Sequence, residues 1–413
     1  MEEERDWSEL PEDMLIQISN HLQTYRFESI KFRSVCQSWR KSSPPLPPPF
    51  SLNPIILPIK KIERFDDDFG KLIETTIYLI RRPNKKNKDF QSESARAAWL
   101  IKVEEDKTLN VIHPLDAITR ELMIPSPKTA PTGLSLLDFE VIGVCKEYIL
   151  VPKQEADYMS KLRNDFLYLI TSNDPVQKVV VSSSTCTAAN NNKDCVIMVL
   201  HFSKSLCFFR YGATHKWSDI AVHQDSSKSY FSDIIYYQRQ FYFVENTGRT
   251  CVIDPYTLST TLVANPIVHG YLEKKRLLES NGELFLVDIY VNENGPRVPQ
   301  QRDGFFQSFP IDCKVFRLDK QRKQWIEVQS LDDRVFFVSN NCSFSILAMD
   351  FSGCKGNCIL LLDYFFLSSV GDMCDHDVGI FDLDSRTFNR LLSHSSYLQL
   401  LWPPPRWISA PAP

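Results

Sequence analysis

From residue 55 onward the chain is a succession of short apolar runs separated by Gly, Asn, Asp and Pro, and no other feature restricts the possible folds as strongly. "TTIYLI", "AAWLIKV", "EYILV", "FLYLI", "CVIMVLHF", "SLCFFRY", "DIIYYQRQFYFV", "GELFLVDIYV", "CKVFRLD", "RVFFVS", "CILLLDYFF" and "VGIFDLD" are examples. Rich in Val, Ile, Phe and Tyr and bounded by turn residues, roughly fifteen to twenty such runs read as strands across about 350 residues. Long amphipathic helices are missing from this region, so βαβ architectures fall away and an all-β fold is expected.

A loose internal repeat narrows the choice. "LCFFRYGATHKWSDIAV" (206–222) aligns with "KVFRLDKQRKQWIEVQSL" (314–331), and "TCVIDPYTLSTTLV" shares its strand, Asp, turn, strand form with "VGIFDLDSRTFNRLL". These resemble the outer hairpins of propeller blades. With about 40–50 residues per blade the region holds roughly six to eight. A pair of β-sandwiches shows the same strand and turn statistics and stays open on pattern alone.

The first forty residues obey a different period. Leu10, Met14, Ile18 and Leu22, with Leu15 beside them, and then Phe27, Ile30, Val35 and Trp39, with Phe32 and Cys36 beside them, fall three or four apart. That spacing predicts at least two short helices. Pro11 suits a first helical turn, and "SSPPLPPPF" ends the pattern because consecutive prolines cannot continue a helix. A unit this small is hard to stabilise alone. Leu10, Leu15, Ile18, Leu22, Val35 and Trp39 therefore form either a cap packed on the β region or a docking surface completed by another protein's helices. The proline-rich spacer favours docking.

Composition excludes several functions. The 413 residues carry 47 basic and 51 acidic side chains, a formal charge of −4, so no field draws the chain to nucleic acid or to an anionic membrane. Eleven cysteines, several inside apolar runs, together with the acidic start "MEEERDWSEL", point to reduced thiols in the nucleus and/or cytoplasm. The longest apolar run, "GNCILLLDYFFLSSV", is interrupted by Asp363 and falls short of the roughly 18 residues of a membrane span.

Candidates for chemistry are sparse. Cys354 and Cys358 lie four apart without a second pair at zinc-site spacing, and Cys374 and His376 sit in a separate polar stretch. "FDDDFG" (65–70) and "SLDDRV" (330–335) read as turns, where Asp bonds its own backbone. The basic run "RRPNKKNK" (81–88) reads as a solvated loop ahead of a nuclear address. With scattered histidines and no glycine cluster to cradle phosphate, no catalytic residue, metal or cofactor is expected, and the chain is read as a non-enzyme.

"LPEDMLIQISNHLQTYRFESIKFRSVCQSWRKS" resembles an F-box: the Leu-Pro opening, the Met-Leu and Ile spacing and the "RSVCQSWR" close follow that family's pattern. The resemblance implies binding to a Skp-type adaptor and through it to a cullin-RING ubiquitin ligase. Leu10, Pro11, Leu15, Ile18, Val35, Cys36 and Trp39 would face the adaptor or build the core behind that face. The remainder resembles the KIB-type β-propeller of plant F-box proteins, carried by "WLIKVEEDKTLNVIHPLDAITRELMIP", "LLDFEVIGVCKEYIL", "FFRYGATHKWSDI", "FYFVENTGRTCVID", "LESNGELFLVDIYV", "WIEVQSLDDRVFFVSNNCSFSI" and "GCKGNCILLLDY". His113, Pro114 and Leu115, and Asp332 with Asp333, depart from the family pattern at positions expected to be turns. The expected organisation is a helical F-box at 1–43, a linker at 44–54, a propeller at 55–405 and a tail at 406–413. The implied role is that of a substrate receptor of an SCF-type ligase, with an unknown target protein held by exposed loops such as "YGATHKW" and "NENGPRVPQQRDGFFQ". A non-degradative scaffold or inhibitor is the alternative.

Overall fold

The computed structural model describes residues 10–22, 26–43, 55–58, 69–81, 98–106, 111–115, 117, 139–152, 176–182, 195–201, 204–211, 217–220, 229–254, 257, 259–267, 274–292, 309–350, 354–361 and 379–390. Three helices open the chain: α1 (Glu12–Leu22), α2 (Arg26–Ser34) and α3 (Gln37–Lys41). Strands follow in five groups. The first holds β1 (Ile55–Pro58), β2 (Phe69–Arg81), β3 (Ala98–Asp106), β4 (Val111–Leu115) and β5 (Glu140–Pro152). The second holds β6 (Val176–Val181), β7 (Cys195–His201), β8 (Leu206–Tyr211) and β9 (Ser218–Ile220). Next come β10 (Phe231–Tyr237), β11 (Gln240–Glu245), β12 (Thr250–Ile253) and β13 (Thr260–Ala264), and then β14 (Lys274–Ser280), β15 (Glu283–Asn292), β16 (Phe309–Asp319) and β17 (Gln324–Val328). The last group is β18 (Arg334–Val338), β19 (Ser343–Leu347), β20 (Cys358–Leu361), β21 (Gly379–Asp382) and β22 (Thr387–Arg390).

Hydrogen bonding orders the groups as β4-β3-β2-β5, β6-β7-β8-β9, β10-β11-β12-β13, β14-β15-β16-β17 and β19-β18-β20-β21-β22, with β1 on β2. One backbone pair, Tyr148 with Val179, joins the first two groups into a single sheet. The edge strands β5, β6, β10, β14 and β19 touch in that order, and β19 returns to β5. This is a ring of radial β units, a propeller, and the paired-sandwich alternative is set aside. The described residues form five units where length alone led to six to eight, because the first unit draws on chain from Ile55 to Pro152 and the last from Arg334 to Arg390.

Alternation within the strands builds the core between units. Val180, Val196, Met198 and Phe208 of the second unit meet Phe231, Ile234, Phe241 and Phe243 of the third. Tyr242, Val244 and Val252 meet Leu277, Leu286, Phe316 and Trp325 of the fourth. Ile77, Leu79 and Leu100 of the first meet Val335, Phe337, Phe344 and Leu360 of the fifth. Each sheet is thus apolar on both faces, so its strands read as continuous rather than strictly alternating runs.

The repeated hairpins predicted from sequence are β8–β9, β12–β13, β16–β17 and β21–β22, the outer strands of their units. Their tryptophans play different parts. Trp217 packs on Phe209 at 5.3 Å between ring centroids. Trp325 reaches into the neighbouring unit, its Nε1–H donating to Gly248 O at 3.0 Å and to Thr250 Oγ1 at 3.1 Å. Gly248 has φ +87°, and a Cβ there would meet Ile267 Cγ1 at 2.6 Å, so glycine is required for both conformation and space. Trp325→Phe keeps most of the ring volume but leaves Gly248 O without this donor. We expect a loss of about 1–2 kcal/mol in chemical unfolding.

Inner strands of adjacent units diverge too far for continuous backbone pairing, and buried side chains take over. The Lys178 ammonium donates to Asp233 Oδ1 at 2.8 Å, and Asp233 Oδ2 accepts from the Leu277 backbone N–H at 2.7 Å, so one carboxylate spans three units. The Ser232 hydroxyl accepts from Lys275 N at 2.9 Å, and Arg276 donates to Ser232 O at 3.3 Å and to Asn340 Oδ1. Register shifts at Gln177 in β6, at Ser232 in β10 and at Val144 in β5 insert one residue each. Such bulges turn side chains out of the alternation, here towards the neighbouring unit. Lys275 with Asp288 (2.6 Å) and Lys102 with Glu147 (3.0 Å) add buried ion pairs inside the fourth and first units.

Two expectations are corrected here. His113, Pro114 and Leu115 are not a turn but the end of β4, paired with Glu104, Val103 and Lys102. An edge strand tolerates Pro114 because its missing N–H is not needed there. Eight described cysteines are free thiols, but Cys195 is disulfide-bonded, against the expectation of wholly reduced thiols. Asp332 does occupy a turn, with φ 55°, and Asp333 accepts backbone N–H bonds from Ala348 and Met349.

Candidate functional site

The helical unit is assembled around few side chains. Pro11 O accepts from Leu15 N at 3.1 Å, starting α1, and Glu12 and Asp13 in the first turn suit its positive end. Leu15 is 1% exposed and Ser19, one turn on, is also buried. Phe32 of α2 is buried and stacks at 4.7 Å on Trp39 of α3. Arg33 Nη1 donates to Arg40 O, Ser43 O and Ser43 Oγ at 3.1, 2.9 and 2.8 Å, while Arg40 Nε returns a bond to Arg33 O. These bonds hold the α2–α3 corner. Cys36 precedes α3 in extended conformation and its carbonyl accepts from Arg40 N.

The inward face of α1 therefore carries one leucine and one serine, while Met14 and Ile16 of the same helix are exposed. Met14 is 50% exposed, Ile16 40% and Val35, at the α2–α3 corner, 55%. Pro11 is exposed, and Leu10, Ile18, Leu22, Cys36 and Trp39 are half-buried. Of the residues expected to face a partner or to build the core behind that face, Leu15 is core. Met14 and Ile16 were not among them, although Met14 stands in the same 10–14–18–22 spacing. A helical stripe is read as inward by default, and only the packing reverses it.

The back of the unit rests on the ring. Lys31 Nζ donates to Val141 O of β5 at 3.0 Å, and the Glu28 carboxylate accepts from the Gly143 backbone N–H. Burial pushes the Glu28 carboxyl above its usual value despite that bond and the nearby Lys31. Helix α2 thus seats the unit on β5, while α1 leaves Met14 and Ile16 exposed. The cap reading left open by the sequence applies to α2.

Other candidates prove to be structural. Cys354 is half-buried against the core between the first and fifth units, and burial pushes its thiol up to about 12. Cys358 is buried, its Sγ donating to Gly356 O at 3.3 Å. Among the described residues no group of three or more His, Cys, Asp or Glu side chains is placed to hold a metal. Arg81 ends β2 and pairs with Glu140 and Asp350, while the rest of its basic run lies outside the described residues. So do residues 65–68, Cys374, His376, the spacer at 44–54, the segments 212–216 and 293–307, and the tail. No helix among the described residues is long and apolar enough to cross a membrane.

A β-propeller bearing a short helical unit with exposed apolar side chains at Met14, Ile16 and Val35 has the layout of an F-box propeller protein. The KIB1-4 beta-propeller family model matches residues 69–382, and the chain belongs to that family. It is 30% identical to the Arabidopsis thaliana F-box protein SKIP23, over 98% of this chain and 96% of the relative. It is 28% identical to the Arabidopsis thaliana F-box protein At2g17036, over 98% and 95%, and 26% identical to the F-box/kelch-repeat protein At1g64840 of the same plant, over 86% and 84%. The chain covers 84–96% of the length of these three relatives.

Proposed function

We propose that this chain is the target-recognition subunit of an SCF-type ubiquitin ligase: residues 1–43 dock on a Skp-type adaptor and the propeller at 55–405 holds a target protein. One observation carries the reading. Helix α1 buries Leu15 and Ser19 and leaves Met14 and Ile16 exposed, with Val35 exposed at the α2–α3 corner, apolar surface that a helical partner would cover. The seat of α2 on β5 fixes how an adaptor on α1 would be held relative to the ring. In this role the receptor supplies no reacting group. It raises the local concentration of target lysines near a ubiquitin-charged enzyme, so its contribution is proximity and orientation. The proposed setting is the nucleus and/or cytoplasm, with 44–54 as spacer and 406–413 as tail.

The full-length chain, expressed in plant cells and captured, should bring down a Skp-type adaptor and a cullin. Proteins bound through the propeller should accumulate when the proteasome is inhibited. Absence of adaptor from the capture would overturn the ligase reading; adaptor present with target levels unchanged would instead support the scaffold.

A further inference from the structure

Helix α2 serves two bodies at once. Lys31 donates from Nζ to Val141 O of β5 at 3.0 Å, Phe32 enters the helical core, Arg33 bonds Arg40 and Ser43, and Val35 stands exposed just beyond. We propose that Lys31 is a positioning residue of the ligase: it sets the angle of the adaptor-bearing helices to the ring, and so which lysines on the ring side receive ubiquitin, without contributing to adaptor affinity. The inference rests on the ligase reading and assigns, within it, a residue whose printed partner belongs to the ring.

The seat is the edge of a strand. In an antiparallel ladder alternate residues turn their backbone groups to opposite edges, so Val141 and Gly143, two apart on β5, share one edge. Among the described residues β5 pairs with β2 from Glu140 to Pro152, but with β6 only at Tyr148. On the side of β6, the start of β5 therefore has no strand beside it, and its backbone groups need other partners. Helix α2 supplies them: Lys31 takes the Val141 carbonyl, and Glu28, one turn earlier, accepts from the Gly143 N–H. One bond would let the helix pivot. Two bonds of opposite polarity, spaced along both elements, oppose that rotation. Arg81 ties the start of β5 to β2 through Glu140 at 2.7 Å, so the seat is itself held. Phe32 and Arg33 join α2 to α3, and the helical unit turns with α2 as one body.

Orientation matters because the reaction joins two groups held apart. A lysine amine attacks the thioester of the charged conjugating enzyme; the amide bond forms, the C–S bond breaks, and the thiol and a proton leave. A rigid mount presents the same few lysines to that thioester on every encounter, and a loose one presents many.

The test assembles the full-length chain with a Skp-type adaptor, a cullin, its RING partner, activating and conjugating enzymes, ubiquitin and ATP. The probe is ubiquitin on the ring's own lysines, mapped by mass spectrometry. Lys31→Met keeps the stem and removes the donor. Its adaptor affinity should stay within about twofold of the parent, while the share of ubiquitin on the parent's most-modified ring lysine falls at least about threefold. Amide exchange at Gly143 should speed up, and Lys31→Arg, which keeps a donor, should restore the parent pattern. A Lys31→Met pattern equal to the parent's, or an adaptor affinity that falls with it, overturns the proposal and leaves the ligase reading standing. A parent chain that captures no adaptor overturns the ligase reading, and this role for Lys31 with it.

Discussion

Asp233→Ala should destabilise the ring by about 3–5 kcal/mol, the cost of breaking a buried ion pair by removing one partner. Asp233 is fully buried, and its two oxygens serve different units: Oδ1 takes the Lys178 ammonium at 2.8 Å and Oδ2 the Leu277 N–H at 2.7 Å. Alanine leaves a buried cation and a buried backbone donor together without their acceptor, and each carries a desolvation penalty that water cannot relieve. Adding Lys178→Met should restore part of the loss, since the orphaned charge goes with it. Urea unfolding of the two variants measures both numbers. A single variant within about 1 kcal/mol of the parent would mean that apolar packing between units, and not this carboxylate, joins the inner strands.

The second large effect concerns binding. Met14→Glu with Val35→Glu should weaken capture of a Skp-type adaptor by more than about 100-fold while the fold is retained. Both side chains are half or more exposed, so carboxylates there cost the free protein little. In a closed interface each would forfeit about 1–1.5 kcal/mol of apolar burial and add an uncompensated charge. Leu15→Ala is the control with the opposite signature: it should lower helical stability first, because Leu15 supports the face from inside. Calorimetric titration of adaptor, with circular dichroism of each variant, separates the two. Undiminished binding by the double variant would move the docking face away from α1 and the α2–α3 corner.

Much of this chain was legible from its residues because the signals are local. The apolar runs, the prolines at both ends of the helical segment and the paired hairpins around Trp217 and Trp325 each depend on neighbours a few positions away, and the structure places those among the described residues as strands, short helices and outer hairpins, while "FLYLI" (166–170) and the prolines of 44–49 lie outside them. The F-box pattern at 10–42 was equally readable, since a helix's period and its stops lie within its own sequence.

What the residues alone could not decide was always a choice between faces or partners distant in sequence. Leu15 and Met14 are adjacent helix formers, and only the packing of α1 on α2 puts one inside and the other out. A one-residue bulge at Ser232 and partners 43 and 44 positions later make Ser232 and Asp233 the joint between units. Local dihedral preference is set by a residue and its neighbours. Which buried groups meet across a ring is set by register and closure, which belong to the whole chain.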